Sequence, residues 1–394
     1  RGRDGPLKVT ENIEDGEIYD KIITATAEVG IDYTNDYNGA SQEGIGMTQA
    51  TIRKGRRMST AYCYLDPARG RSNLHIRANA LTECLVFAGK RCTGVRYSLG
   101  GQVREAKANR EVIVSAGSIN SPQLLELSGI GQATRLKELG IDVVHNLQGV
   151  GENLRDHYSP RMKWSVPRAL GLTYNDKGRG LGLVWQALKY ALSDKGLLGL
   201  PAAPLRAYIK TREGLEAPDA AISWIPFLAN ESFKLHEDSG VTAITHVLRS
   251  ESTGDIHVSS TDPSHPPAIR FNFLSAQSDC DILLESMKIT RRIMNAGPLQ
   301  GVMTDEIAPG VDIENDNEML DWVKKNAETT YHPVGTCKMG NDPMAVVDDQ
   351  LRVHGVEGLR VADASIMPTL TSGNTNAPSI MIGEKASRMV LAAA

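Results

Sequence analysis

The segment from Glu111 to Gly131 narrows the choice of fold more than any other part of this chain. A compact apolar run, Val112-Ile113-Val114, leads into Ala116-Gly117-Ser118. A short β-branched run of that kind reads as a buried strand. The small residues after it allow a sharp backbone turn, and Ser121-Pro122 offers a helix opening, since proline suits the first helical turn. Strand, glycine turn and helix in that order are the grammar of a doubly wound parallel sheet, whose ligands sit beyond the carboxyl ends of the strands. The N–H groups of such a helix start favour an anion such as a pyrophosphate. The same features also make a tight strand-to-helix connection that holds no ligand.

The flanking sequence sets the organisation. Residues 1–14 read as a polar, extended lead-in, and Asp15–Val29 as a helix stopped by Gly30. Residues 31–60, rich in Gly, Asn, Ser and Thr, read as an ordered loop region. Leu74–Arg77, Ala80–Phe87 and Cys92–Tyr97 read as a β-meander with Gly89 at a turn. From about 155 to 310 the pattern changes. Leu181–Ser193 and Ser278–Ala296 are helical. Ala220–Phe227, Thr242–Leu248, Gly254–Ser259 and Ala268–Phe273 alternate as in an antiparallel sheet with one face toward solvent. Asp316–Asn326 and Pro378–Leu391 read as helices and Leu359–Val361 as a strand. The expected fold is α/β with mixed α+β character. A partial doubly wound domain (1–155 and 311–394) is interleaved with an antiparallel-sheet domain (156–310).

Composition narrows the function. The chain has 394 residues, 41% hydrophobic and 23% charged, with a net charge of -4. That length allows a sizeable core. The charge balance gives no footprint for nucleic acid. No run reaches the roughly 18 apolar residues of a membrane span. Five cysteines (Cys63, Cys84, Cys92, Cys280, Cys337) contain no C-x-x-C pair. Reduced, buried thiols are expected rather than disulfides or zinc, which favours the cytoplasm.

Two further segments carry chemistry. In Tyr331-His332-Pro333-Val334-Gly335, His332 precedes a proline and so lies in extended backbone. An imidazole there can take a proton from a substrate hydroxyl, or be structural. In Thr371–Pro378, Asn374 and Asn376 flank Thr375 ahead of a helix. They offer amides and helix-start N–H groups to developing negative charge, or Asn376 is an ordinary N-cap.

With these residues in view the chain resembles the glucose–methanol–choline (GMC) oxidoreductase family. Gly117–Gly131 is similar to that family's second signature at every constrained position. Tyr331–Gly340 and Val361–Glu384 look like its C-terminal active-site region, in the same order. Gly254–Phe273 is similar to its substrate-domain sheet. The ending Gly373–Pro378 and Met381–Lys385 resembles the choline-dehydrogenase-like branch. The resemblance covers nearly all of the chain.

The resemblance implies FAD as cofactor and oxidation of a small-molecule alcohol, with hydride going to the flavin and then to oxygen or another acceptor. It implies His332 as the base and Asn376 as its companion, hydrogen-bonding the substrate oxygen. Thr82, Ala116, Gly117, Ser118, Tyr331, Asp363, Ala364, Asn376 and Ala377 match positions along the cofactor. Hydroxynitrile lyases and fatty acid photodecarboxylases use the same fold, and keeping both His332 and Asn376 disfavours the photodecarboxylase. Substrate choice falls to Tyr158–Phe233, in which Trp224 and Phe227 are assigned no role.

One family element has no match. No Gly-x-Gly-x-x-Gly turn with an acidic residue about 20 positions on is found. The expectation is that this sequence is a piece of a longer polypeptide, pairs with a chain supplying the other half of the flavin site, or has lost flavin. On that expectation it does not hold flavin tightly by itself.

Overall fold

The computed structural model describes residues 4–11, 16–230 and 234–393. The lead-in expected over 1–14 and the start of the helix expected from Asp15 lie partly outside them. The chain divides into two compact units. One comprises residues 1–74, 158–248 and 280–328; the other comprises 75–157, 249–279 and 329–394.

The first unit is built on a six-stranded sheet. Its spatial order is Glu306–Ala308, Arg161–Ser165, Gly240–Val247, Ala220–Ile225, Leu205–Ile209, Gly44–Met47. Every neighbouring pair is antiparallel. Strand alternation gives the sheet two chemically different faces. On one face Met162, Trp164, Ala243, Ile222, Trp224 and Leu205 are buried. Thr245 on that face donates from Oγ1 to Ser286 Oγ of the helix Gln277–Met294 at 2.8 Å. The helix Glu17–Glu28 buries Ile18, Ile22, Ala25 and Thr26, an i, i+4, i+7, i+8 stripe. The helix Gly180–Ser193 instead exposes Leu181, Val184, Trp185, Leu188 and Leu192.

The second unit has a three-stranded meander, Ala80–Ala88, Arg91–Leu99 and Gln102–Lys107. It also has a parallel pair, Val112–Val114 with Leu359–Val361. That parallel pair is the doubly wound element expected from sequence. Its core gathers Val114, Leu125, Ile130, Val150, Val334, Val347 and Val361, all essentially buried. Each such side chain stabilises by about 1.5–3 kcal/mol relative to exposure.

The structure corrects several expectations. Leu74–Arg77 is not a strand, and the third meander strand is Gln102–Lys107. All six of its residues are exposed, so no apolar alternation announced it. Residues 31–60 are not all loop, since Gly44–Met47 forms the edge strand beside Leu205–Ile209. That pairing places residues 1–74 with the large sheet, where the sequence grouped 1–155 together. Asp255–His257 and Ala268–Arg270 pair only with each other, in the second unit, and not in the main sheet. Backbone bonds hold them there: Ile256 N–H donates to Gly151 O at 2.7 Å and Leu154 N–H to Gly254 O at 3.0 Å.

The helix expected to open at Ser121-Pro122 opens at Gly117 and runs to Leu127 with Pro122 inside it. A proline there cannot donate to the carbonyl four residues back, which is Ser118. The Thr336 hydroxyl donates to Ser118 O at 2.6 Å instead. A contact from a distant loop thus supplies the bond that the helix lacks.

Candidate active site

The histidine loop of the second unit begins where Thr329 ends a short strand. Asp156 is 2% exposed and organises this loop. Its Oδ1 accepts the backbone N–H of His332 at 2.9 Å, and its Oδ2 accepts the Thr329 hydroxyl. Gly335, at φ +94°, closes the loop; a Cβ there would lie 2.4 Å from Asn153 O. Only glycine suits that position.

The His332 ring is fixed through both nitrogens. Asn374 Nδ2 lies 3.0 Å from Nε2 and can only donate, so Nε2 accepts. Thr330 Oγ1 lies 2.8 Å from Nδ1. Its single proton goes to His157 O at 3.2 Å, so toward His332 it accepts and Nδ1 carries the hydrogen. The buried His157 ring also presents its Nδ1 to His332 Nδ1, at 3.0 Å and edge-on. These contacts are compatible with the tautomer that carries its hydrogen on Nδ1 and leaves a lone pair on Nε2.

Burial raises the Asp156 carboxyl to about 6, against the hydrogen bonds from Thr329, His332 and His157 that lower it. A second buried cluster lies at His257. Its Nδ1 is 2.7 Å from Glu126 and its Nε2 3.2 Å from Glu152. Burial lowers the His257 pKa, but the hydrogen bond and charge of Glu126 outweigh it and the net shift is upward. Both Asp156 and His257 thus bind protons more tightly folded than unfolded. Their stabilisation is complete at low pH and is lost as pH rises through each folded pKa. The melting temperature of the second unit is expected to fall as pH rises from about 4 to about 6, through Asp156, and again above 6.5, through His257. Asp156→Asn should flatten the part between about pH 4 and 6 and His257→Gln the part above 6.5. Variants that keep the parent slope in thermal melts would remove these groups as its cause.

The sequence-expected cofactor residues fall into three places. Thr82 and Ala116 line one cavity of about 300 Å³, with Ser115, Asn120 and Gln123, that runs along the strand Val112–Val114 and past its carboxyl end. Gly117 (φ +81°) and Asp363 meet directly: the Asp363 carboxylate accepts from Gly117 N–H at 2.9 Å and Ser121 Oγ at 2.5 Å. It also accepts from Ser365 N–H at 2.8 Å. The anion position expected for a pyrophosphate at this helix start is thereby filled by a side chain of the protein. The Ser118 hydroxyl is buried and has no partner among the described residues. Ala364 follows Asp363, and its carbonyl accepts from Gly335 N–H at 3.4 Å. Tyr331 is 71% exposed at φ +61°. Asn376 and Ala377 open the helix Asn376–Ala392 with exposed side chains, and Thr375, not Asn376, holds the N-cap position.

Sequence reasoning missed Asp156, His157, Thr330 and Asn374 as members of one site. Asp156-His157 was legible as an acid–imidazole pair, but nothing local tied it to a loop 175 residues away. Asn374 was in view, and the structure places it, two residues before Asn376, on the His332 ring.

Among the described residues none of the five cysteines forms a disulfide; four are buried and Cys84 is half-buried. No helix among the described residues is long and apolar enough to cross a membrane.

Family models described as GMC oxidoreductase match residues 3–159 and 250–383. The oxygen-dependent choline dehydrogenase of Chromohalobacter salexigens is 40% identical over 401 residues, covering 98% of this chain and 69% of that protein. The enzyme of that name from Pseudomonas aeruginosa is 40% identical over 403 residues, with the same coverage. Among solved structures, pyridoxine 4-oxidase from Mesorbium loti superposes with a TM-score of 0.85 at 25% identity, over 98% of this chain and 72% of that one. Formate oxidase of Aspergillus oryzae shares the fold, with a TM-score of 0.91 at 23% identity over 98% and 73%. The chain belongs to the GMC oxidoreductase family, the FAD-dependent enzymes that oxidise alcohols.

Proposed function

We propose that the chain oxidises a small alcohol with His332 as the base that receives the hydroxyl proton. The observation that supports this most is the set of contacts on the two ring nitrogens of His332, from which we infer its tautomer. Nδ1–H is committed to Thr330 and His157, leaving the basic lone pair on Nε2. The substrate hydroxyl takes the position that Asn374 holds on Nε2, and its proton passes to that nitrogen. The resulting imidazolium keeps Nδ1–H on its buried acceptors, so no rearrangement accompanies proton uptake. Asp156 positions the ring by holding its backbone N–H.

The residues present fit FAD in part. Ser118 offers an orphaned buried hydroxyl, and Thr82 and Ala116 line a cavity that runs along a parallel strand. The exposed helix start at Asn376 and Ala377 presents N–H groups suited to negative charge. When bound, FAD supplies the hydride acceptor.

Anaerobic mixing of the FAD-loaded enzyme with a panel of primary alcohols, choline included, tests the reading. Bleaching of the flavin band by at least one is expected; no bleaching by any would overturn it. Asn374→Asp puts a carboxylate against Nε2 and holds that nitrogen protonated, so reduction should slow by about 10-fold or more. A parent rate would mean that Asn374 does not govern the base.

A further inference from the structure

The large sheet of the first unit has a second face, opposite the one buried under the helix Gln277–Met294. Alternation along Arg161–Ser165 sends Met162 and Trp164 into the core, and therefore Arg161 and Lys163 the other way. Across the sheet Arg161 lies beside Ile244, and Lys163 lies between Thr242 and Ala308. These residues, with Ile225, Phe227 and Trp322, line a cavity of about 630 Å³. That is the size of a small-molecule site, typically about 300–1,000 Å³.

Its charges are unequal. Arg161 is satisfied by Glu328, Nη2 to Oε2 at 2.8 Å, and that pair cancels. Lys163 is half-buried as a residue, lines the same cavity, and has no carboxylate partner among the described residues. The other walls are mostly apolar: Ile225, Phe227, Ile244, Ile307 and Trp322. A cation in the wall of a largely apolar chamber is favourable only if a ligand anion or water completes it. A ligand carboxylate does so with a charge-assisted hydrogen bond.

We propose that this cavity binds a small amphipathic carboxylate, with the acid group on Lys163 and the hydrocarbon or aromatic part between Phe227 and Trp322. The two ring faces could receive a quaternary ammonium by cation–π attraction. Among the described residues that line the chamber there are two cations, Arg161 and Lys163, and one carboxylate, Glu328, which is paired with Arg161; that balance opposes such a ligand. This matters because choline, a quaternary ammonium, is named in the relatives. The inference goes beyond the alcohol-oxidation reading and does not depend on it, because binding is measured without turnover.

Calorimetric titration of the full chain with 4-(hydroxymethyl)benzoate, its neutral analogue 1,4-benzenedimethanol and choline tests the site. The carboxylate is expected to bind at least about tenfold more tightly than either of the others at low salt. Its affinity should fall as salt is raised, while that of the neutral analogue should hold. Lys163→Gln should bring the carboxylate and the neutral analogue to equal affinity, and Lys163→Arg should keep them apart. Equal or tighter binding of choline or the neutral compound, or no binding of the carboxylate, would overturn the proposal. So would a Lys163→Gln protein that keeps the preference. The salt series on the parent chain decides the matter if the Gln variant does not fold.

Discussion

His332→Ala should slow reduction of bound FAD by alcohol about 10²–10⁴-fold, the scale of a lost general base. The loop should survive the change. What anchors it is the backbone bond from His332 N–H to Asp156, which alanine keeps, and the closing turn at Gly335. His157 and Thr330 lose a partner but remain bonded to each other through the Thr330 hydroxyl and His157 O. Thermal stability and FAD content should therefore stay near those of the parent while the rate collapses. The loss should shrink at high pH, where alkoxide forms without the base. Stopped-flow reduction under anaerobic conditions reads this directly. A variant reducing FAD at the parent rate would show that the proton goes elsewhere, and the tautomer argument would lose its purpose.

Asp363→Ala should have the largest effect on stability. One carboxylate ties Gly117 N–H and Ser121 Oγ, at the start of one helix, to Ser365 N–H in the loop after Leu359–Val361. The two sides are 242 residues apart in sequence at Ser121. Alanine orphans three donors at once. Bonds to a charged acceptor contribute about 1.5–3 kcal/mol each, and an orphaned buried donor costs about 1–3 kcal/mol. Part of this is recovered by water, since the site is only half-buried. A loss of about 2–4 kcal/mol remains. That corresponds to roughly 5–15 °C in the melting temperature for a unit of this size. Asp363→Asn keeps the acceptor oxygen but not the charge, and should fall between the two. FAD retention should drop with Asp363→Ala, since Ser118 lies in the turn that the knot holds. An unchanged melting temperature would show that water replaces the carboxylate without penalty.

How legible each element was in the sequence depends on the range of the interaction that makes it. Val112–Val114 was legible as a strand because β-branched residues in a short run declare it. The helices Asp316–Asn326 and Gly180–Ser193 were legible through periodicity. Gln102–Lys107 was not, because an exposed strand has no apolar face to alternate. The start of the helix at Gly117 was not, because the bonds that permit an interior proline and begin the helix come from Thr336 and Asp363. His332 was found through its local context and family likeness. Its orienting partners were not, because Asp156 and His157 carry no mark of the loop that they hold.

Most of the strands and helices and the family membership are properties of local sequence. They are set by side-chain periodicity and by motifs within a few residues. Long-range packing brought Asn374 rather than Asn376 to the His332 ring, set His257 between two carboxylates, and turned Lys163 toward a cavity. It also carried Asp363 into the anion position at Gly117. Each of these depends on which distant group lies within hydrogen-bonding or packing reach, about 3–4 Å, and spacing along the chain does not encode that distance.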